Sequence, residues 1–203
     1  MGVKERRKRE KENLRQEILD AAREMFAADG FKSVSMRKIA EKIEYSPTTI
    51  YLYFKDKVDL LNQICEETFA NLSAEIAAVK SADEDALENM RNGLRRYVEF
   101  GLRHPKHYEV TFMTPIMGYL GQDAHPFEGS MGQRAFEYLR SEVSACMSAG
   151  KIKTGDVDLV SQTIWATIHG ITSLLIAHTD FPFVDTDKLI DSVIGTMLDG
   201  LKT

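Results

Sequence analysis

From Leu14 onward the apolar residues of this chain recur three and four positions apart, and that spacing limits what it can fold into. Leu14, Ile18, Ala22, Met25 and Phe26 form one stripe of a helix, because such steps return to the same face. Gly30 ends it as a C′ residue. Ser35 caps a short helix with Met36, Ile39, Ala40 and Ile43 inside. Asp56 caps a long one, on which Leu60, Leu61, Ile64, Leu72 and Ile76 keep the period for about six turns. SADED at 81–85 is a polar break and a candidate boundary. The same period then predicts helices over 85–103, from Pro105, over 131–149 ending at Gly150, over 156–178 and over 186–202. Residues 113–130, with Pro115, Gly118, Gly121, Pro126 and Gly129, predict loops around a broken helix. No hairpin dipeptide joins alternating runs, so the fold class is all-α.

Composition narrows the class further. With 203 residues, 43% hydrophobic and 28% charged, the chain can bury a sizeable core. No apolar run approaches the roughly 20 residues of a membrane span. The basic start MGVKERRKREKEN has no apolar stretch behind it and does not read as a secretory signal. A cytoplasmic protein without a membrane partner is the expectation. Cys65 and Cys146 stand apart, with no metal or redox spacing, and read as reduced thiols. His104 and His107 lack a nearby third ligand, so neither metal nor cofactor is expected. The net charge of −5 hides an asymmetry. Residues 1–57 carry 14 Lys/Arg against 10 Asp/Glu, a net of +4, while the remainder carries 12 against 21, a net of −9. Such a split points to two parts with different partners.

The stretch YSPTTIYLYFKDK at 45–57 looks by composition like a strand. In an all-α chain it reads better as a helix, capped by Ser46 and opened by Pro47. With Pro47 at zero, Ile50 and Phe54 fall near about 300° and 340° and face inward, while Thr48, Thr49 and Leu52 take the opposite side. Tyr51, near about 40°, fits either core or surface. Outward hydroxyls and one leucine suit the floor of a DNA major groove, where they meet base edges and thymine methyls. Two short helices joined by a tight turn, the second carrying that face, make a helix-turn-helix.

The helix ILDAAREMFAADGFKSVSMRKIA at 18–40 and SPTTIYLYFKDKVDLL at 46–61 resemble the tetracycline-repressor (TetR) family of bacterial transcription regulators. Residues 104–112 and 150–170, with Trp165, His169 and Gly170, look like the ligand-binding half of a subgroup marked by a Trp…His-Gly element. The resemblance implies an arm at 1–12, a helix-turn-helix domain at 13–58 and a ligand-binding and dimerisation domain at 59–203, joined by the long helix. It implies DNA contacts from Ser35, Arg37, Ser46, Pro47, Thr48, Thr49, Tyr51, Leu52, Tyr53 and Lys57, with Lys57 on a phosphate. Ser35 equally reads as a cap alone. The arm reaches a neighbouring minor groove in such proteins, or is a disordered solubilising end. The family has glycine where this chain has Glu44, and glutamate pays a steric cost at positive φ.

In the second half, Tyr97, Phe100, Tyr108, Phe112, Met113, Met117, Tyr138, Trp165 and His169 are candidates to line an apolar cavity for a small apolar or amphipathic effector, with His169 orienting it. Each also reads as ordinary core. The last two helices offer apolar faces for a homodimer that would read a palindromic operator. The expected function is thus a ligand-responsive, DNA-binding repressor, with no catalytic constellation present. The alternatives are an α-helical small-molecule-binding protein or enzyme with a vestigial helix-turn-helix, or a protein-interaction module.

Overall fold

The computed structural model describes residues 2–114 and 127–203. Among them every regular element is helical: α1 Val3–Asp29, α2 Met36–Lys42, α3 Pro47–Tyr51, α4 Lys57–Ala78, α5 Ala86–Arg103, α6 Pro105–Tyr108, α7 Met131–Ser148, α8 Val157–Ala177 and α9 Thr186–Leu201. The chain forms two compact units. One holds the described residues up to Thr68 with those from Lys106 to Thr114; the other holds 69–105 and 127–203.

The first unit is built on the stripe of α1. Ile18, Leu19, Ala22 and Phe26 pack in one core with Ile39 and Ala40 of α2, Ile50 and Phe54, and Leu60, Leu61 and Ile64 of α4. Val110 joins this core. It lies in a π-helical turn, Glu109–Met113, that continues α6 and that the spacing did not announce. A buried arginine with two carboxylate partners also escaped the sequence reading. Arg23 of α1 is 8% exposed at its side chain and donates to Glu67 of α4 at 2.6 Å and to Asp20 at 2.7 Å. The Arg23–Asp20 spacing of three was the available signal.

The second unit packs α8 against α5, α7 and α9. Arg103 of α5 pairs with Glu75 of α4, and Arg95 reaches Asp187 and Asp191 of α9. Residues 81–85 are no unit boundary. Asp85 caps α5, Asn89 bonds Ser81 through both its amide atoms, and Lys151 pairs with Asp85 at 2.8 Å, so the polar run is a stitched turn inside one unit.

Two expectations need correction. The first twelve residues are not a separate arm, because α1 begins at Val3 and runs unbroken to Asp29. Its opening turns are held by i,i+4 pairs, Arg6 with Glu10 and Lys8 with Glu12. And α8, at 21 residues, is long and apolar enough to cross a membrane by length and composition alone. The hydroxyls of Ser161, Thr163, Thr167 and Thr172 donate to carbonyls four residues earlier, which satisfies them within the helix.

Candidate nucleic-acid interface

Local chemistry builds the α2–α3 pair. The Ser35 hydroxyl accepts from Lys38 N at 3.2 Å and caps α2. α2 ends in a Schellman motif: Tyr45 N donates to Ala40 O at 3.0 Å and Glu44 N to Glu41 O at 3.3 Å. That motif requires a left-handed residue at Glu44, which has φ 60°, the one non-glycine among the described residues at positive φ. Ser46 then caps α3 by accepting from Thr49 N at 3.2 Å, and Pro47 takes the first helical position.

The faces of α3 fall as its periodicity predicts. Ile50 and Phe54 are buried in the core. Leu52 is 75% and Tyr51 54% exposed, and Pro47 and Thr48 lie on the same open surface. The position of Tyr51 resolves its two readings in favour of the surface. Thr49 is half-buried, and its hydroxyl lies 2.9 Å from that of Ser46, so part of its bonding capacity goes to the cap. Arg37 stands out from α2 and pairs with Glu41, Nε to Oε1 3.1 Å. Tyr53 is half-buried, with the Lys11 ammonium 5.9 Å from its ring.

Lys57 departs from expectation. Its ammonium turns inward, donating to Phe31 O at 2.6 Å and Val34 O at 2.8 Å, and sits 4.2 Å from the centre of the Phe31 ring. Partial burial lowers its pKa. A lysine at the start of α4 thus donates to two carbonyls of the α1–α2 loop. In this position Lys57 braces the loop that carries Ser35.

The effector candidates divide between the units. Tyr108, Phe112 and Met113 belong to the first, where the Tyr108 and Phe112 rings lie 4.6 Å apart and Tyr108 is fully buried. Tyr97, Phe100, Tyr138, Trp165 and His169 belong to the second. There Trp165 Nε1 donates to Tyr97 Oη at 3.3 Å, and Trp165 lies 6.0 Å from His169 and 6.2 Å from Phe136, a neighbour the sequence analysis did not single out. His169 Nε2 is 3.3 Å from Ser173 Oγ, and burial lowers its pKa. Trp165 is nevertheless 42% exposed, more than a core tryptophan. Phe100 is buried beside His104, and Tyr138 lies under the Lys80 ammonium, so neither joins that cluster. Met117 lies outside the described residues. The second unit also has an open groove of about 570 Å³ between α8 and α9, lined mainly by Thr163, Thr167, Val193, Thr196, Met197 and Leu201.

A capped helix with an exposed hydroxyl-and-leucine face, braced by a second short helix across a Schellman turn, is the DNA-reading unit of a helix-turn-helix transcription regulator. Residues 18–64 match the bacterial regulatory proteins of the tetR family, and residues 90–197 match the tetracyclin repressor-like C-terminal domain. The chain belongs to the TetR family. It is 35% identical over 108 residues to an uncharacterized HTH-type transcriptional regulator of Mycobacterium tuberculosis, covering 53% of this chain and 46% of that protein. It thus spans about half the length of that relative. The fatty acid metabolism regulator protein of Bacillus subtilis is 25% identical over 195 residues, 91% of this chain and 94% of that protein. The crystal structure of the transcriptional regulator FadR from Bacillus subtilis in complex with stearoyl-CoA shares the fold, with a TM-score of 0.75 at 22% identity over 92% of this chain and 98% of that one.

Proposed function

We propose that this regulator is a cytoplasmic homodimer that represses transcription from a palindromic operator and releases it when an amphipathic small molecule binds. The observation that carries the reading is the division of α3 into buried Ile50 and Phe54 and exposed Thr48, Tyr51 and Leu52. A vestigial motif would not keep a hydrophobic leucine and a tyrosine open to solvent on a fully capped helix. Thr48 and Leu52 meet base edges, Arg37 reaches a guanine after leaving Glu41, and Ser35, Ser46, Pro47, Thr49, Tyr51 and Tyr53 line the backbone. Residues 13–58 form the DNA-binding domain and 59–203 the effector and dimerisation domain, a functional division distinct from the two compact units.

The groove between α8 and α9 is the seat of a second copy of this chain. Its lining is mostly small or apolar, as close helix packing across a two-fold axis requires. Thr167→Arg or Met197→Glu should give monomers in sedimentation and weaken operator binding on the order of a hundredfold, as lost bivalency predicts. The cluster of Tyr97, Phe136, Trp165 and His169 supports the Trp…His-Gly subgroup and a polar end to the effector site. The Bacillus subtilis FadR was crystallised with stearoyl-CoA, a molecule with an apolar chain and a charged head. A ligand of that chemistry shifts the protein between two states by binding one of them better.

Selection of duplexes from a random pool by the purified chain tests the reading. A palindromic consensus whose affinity falls steeply with salt is expected. Failure to enrich any duplex would refute it. Stearoyl-CoA should then raise the melting temperature and release the selected duplex. Release by neither stearoyl-CoA nor its shorter acyl analogues would remove the acyl-ligand assignment and leave DNA binding intact.

A further inference from the structure

Gly132 is a glycine that its own backbone does not require. It is the second residue of α7, and the glycines at positive φ are Gly30, Gly129 and Gly150. An alanine in its place would favour the helix by up to about 1 kcal/mol. The reason for glycine lies across from it. A Cβ on Gly132 would stand 3.0 Å from Cε2 and 3.2 Å from Cζ of Phe69 of α4, closer than carbon atoms pack. The Phe69 ring therefore rests on bare backbone. Gly93 of α5 meets α4 two turns further along, at Ile76, but a Cβ there would lie 3.4 Å from Ile76 Cγ2, an ordinary contact.

The seat is joined to the aromatic cluster through α7. Phe136 follows Gly132 by one turn on the same face of that helix, and its ring lies 6.2 Å from that of Trp165. Trp165 in turn donates to Tyr97 and lies beside His169. Phe69, Gly132, Phe136 and Trp165 all belong to the second unit, and Phe69 is the first residue of α4 within it. Further along, Lys80 of α4 pairs with Glu142 of α7 at 2.7 Å, which pins the two helices at a second point. With that pin in place, a shift in the first turns of α7 acts on α4 at Phe69.

Resting on the effector reading, we propose that Phe69 is the positioning residue through which α4 registers occupancy of the Trp165–His169 cluster. A molecule seated against Trp165 displaces Phe136. The turn from Phe136 back to Gly132 moves with it as hydrogen-bonded helix, because close-packed interiors pass displacement on. The Phe69 ring follows, since its seat is backbone and cannot turn aside as a side chain can. Occupied and empty states then differ in where α7 seats the ring, the two-state contact that such coupling requires.

The test reads the ratio of operator affinities without and with stearoyl-CoA, on the full-length chain and the duplex it selects. Trp165, the sole tryptophan, reports stearoyl-CoA binding to the DNA-free protein by its fluorescence. Gly132→Ala and Phe69→Leu should each lower the ratio about tenfold, with stearoyl-CoA affinity held within about threefold of wild type. Leucine lacks the two ring atoms nearest Gly132, so the double variant should recover the ratio to within about threefold of wild type. Gly93→Ala should leave it unchanged. Thermal melting should show each variant folded. An unchanged ratio in both single variants, additive losses in the double variant, or an equal loss from Gly93→Ala would overturn the proposal. So would loss of stearoyl-CoA binding in step with the ratio, which would make Phe69 part of the effector site itself. A wild-type chain whose operator binding ignores stearoyl-CoA would overturn the effector reading and this proposal together.

Discussion

Glu44 and Gly150 occupy the same position in the same backbone motif. Each is the left-handed residue that ends a helix, α2 and α7 respectively, with φ 60° and 65°. Each is followed by an amide that donates five residues back, Tyr45 N to Ala40 O and Lys151 N to Cys146 O. The hydrogen bonds are alike, but only one site has the residue suited to that backbone.

Glu44→Gly should therefore stabilise the protein by about 1 kcal/mol, and Gly150→Ala should destabilise it by a similar amount. Urea unfolding followed at the α-helical band checks both. Glu44→Gln keeps the backbone cost and removes the charge, so it should leave stability near wild type while tightening operator binding a few-fold. If Glu44→Gly gives no stabilisation, the motif is being held by interactions of the glutamate itself.

Lys57→Met should cost about 2 kcal/mol, because it keeps the stem over Phe31 and strands two loop carbonyls without their donor. The salt slope of operator binding should stay within experimental error. A slope lower by about 1 would restore Lys57 to the phosphate backbone.

Leu52→Ala and Thr48→Ala should each weaken the selected operator about tenfold and relax its sequence, under the proposal that each meets a base. Leu52→Ala should not lower the melting temperature, the side chain being 75% exposed. Ile50→Ala, by contrast, should cost about 3 kcal/mol through a core cavity. Binding to nonspecific duplex should be unchanged by the first two. Equal losses on all sequences would mean that α3 reads no bases.

His169 gives a pH signature. Burial lowers its pKa in the folded state, so below the usual histidine range the unfolded chain binds a proton that the folded chain refuses. Stability should fall as pH drops through about 6.5, and stop falling once the folded imidazole is itself protonated. Relative to wild type, His169→Gln should be less sensitive to pH over that window. Parallel curves for the two proteins would show that His169 titrates normally.

Most of the helices were legible because their signals are local. Gly30, Ser35, Ser46, Pro47, Asp56 and Gly150 announce ends through their own backbone preferences, and the structure uses each one so. The same holds for α3, whose inside and outside follow from a 100° step. What was not legible depends on partners distant in sequence. Lys57 looked like a free cation because the carbonyls it satisfies lie 26 and 23 residues earlier. The burial of Arg23 depends on Glu67, which lies 44 residues further along the chain. The π-helical turn at 109–113 has no compositional mark, and Val110 and Thr111 are buried through it.

Two places where the chain passes between its compact units lie inside regular helix. One falls between Thr68 and Phe69 of α4, the other between Pro105 and Lys106 of α6. Neither is a glycine-rich tether. Such a junction carries torque: turning one end of α4 turns the other, and a displacement is conveyed as rotation and bending of a stiff rod. For the ligand response proposed above, the middle of α4 is the place to test, by breaking its backbone hydrogen bonds with a proline and asking whether effector still releases the operator.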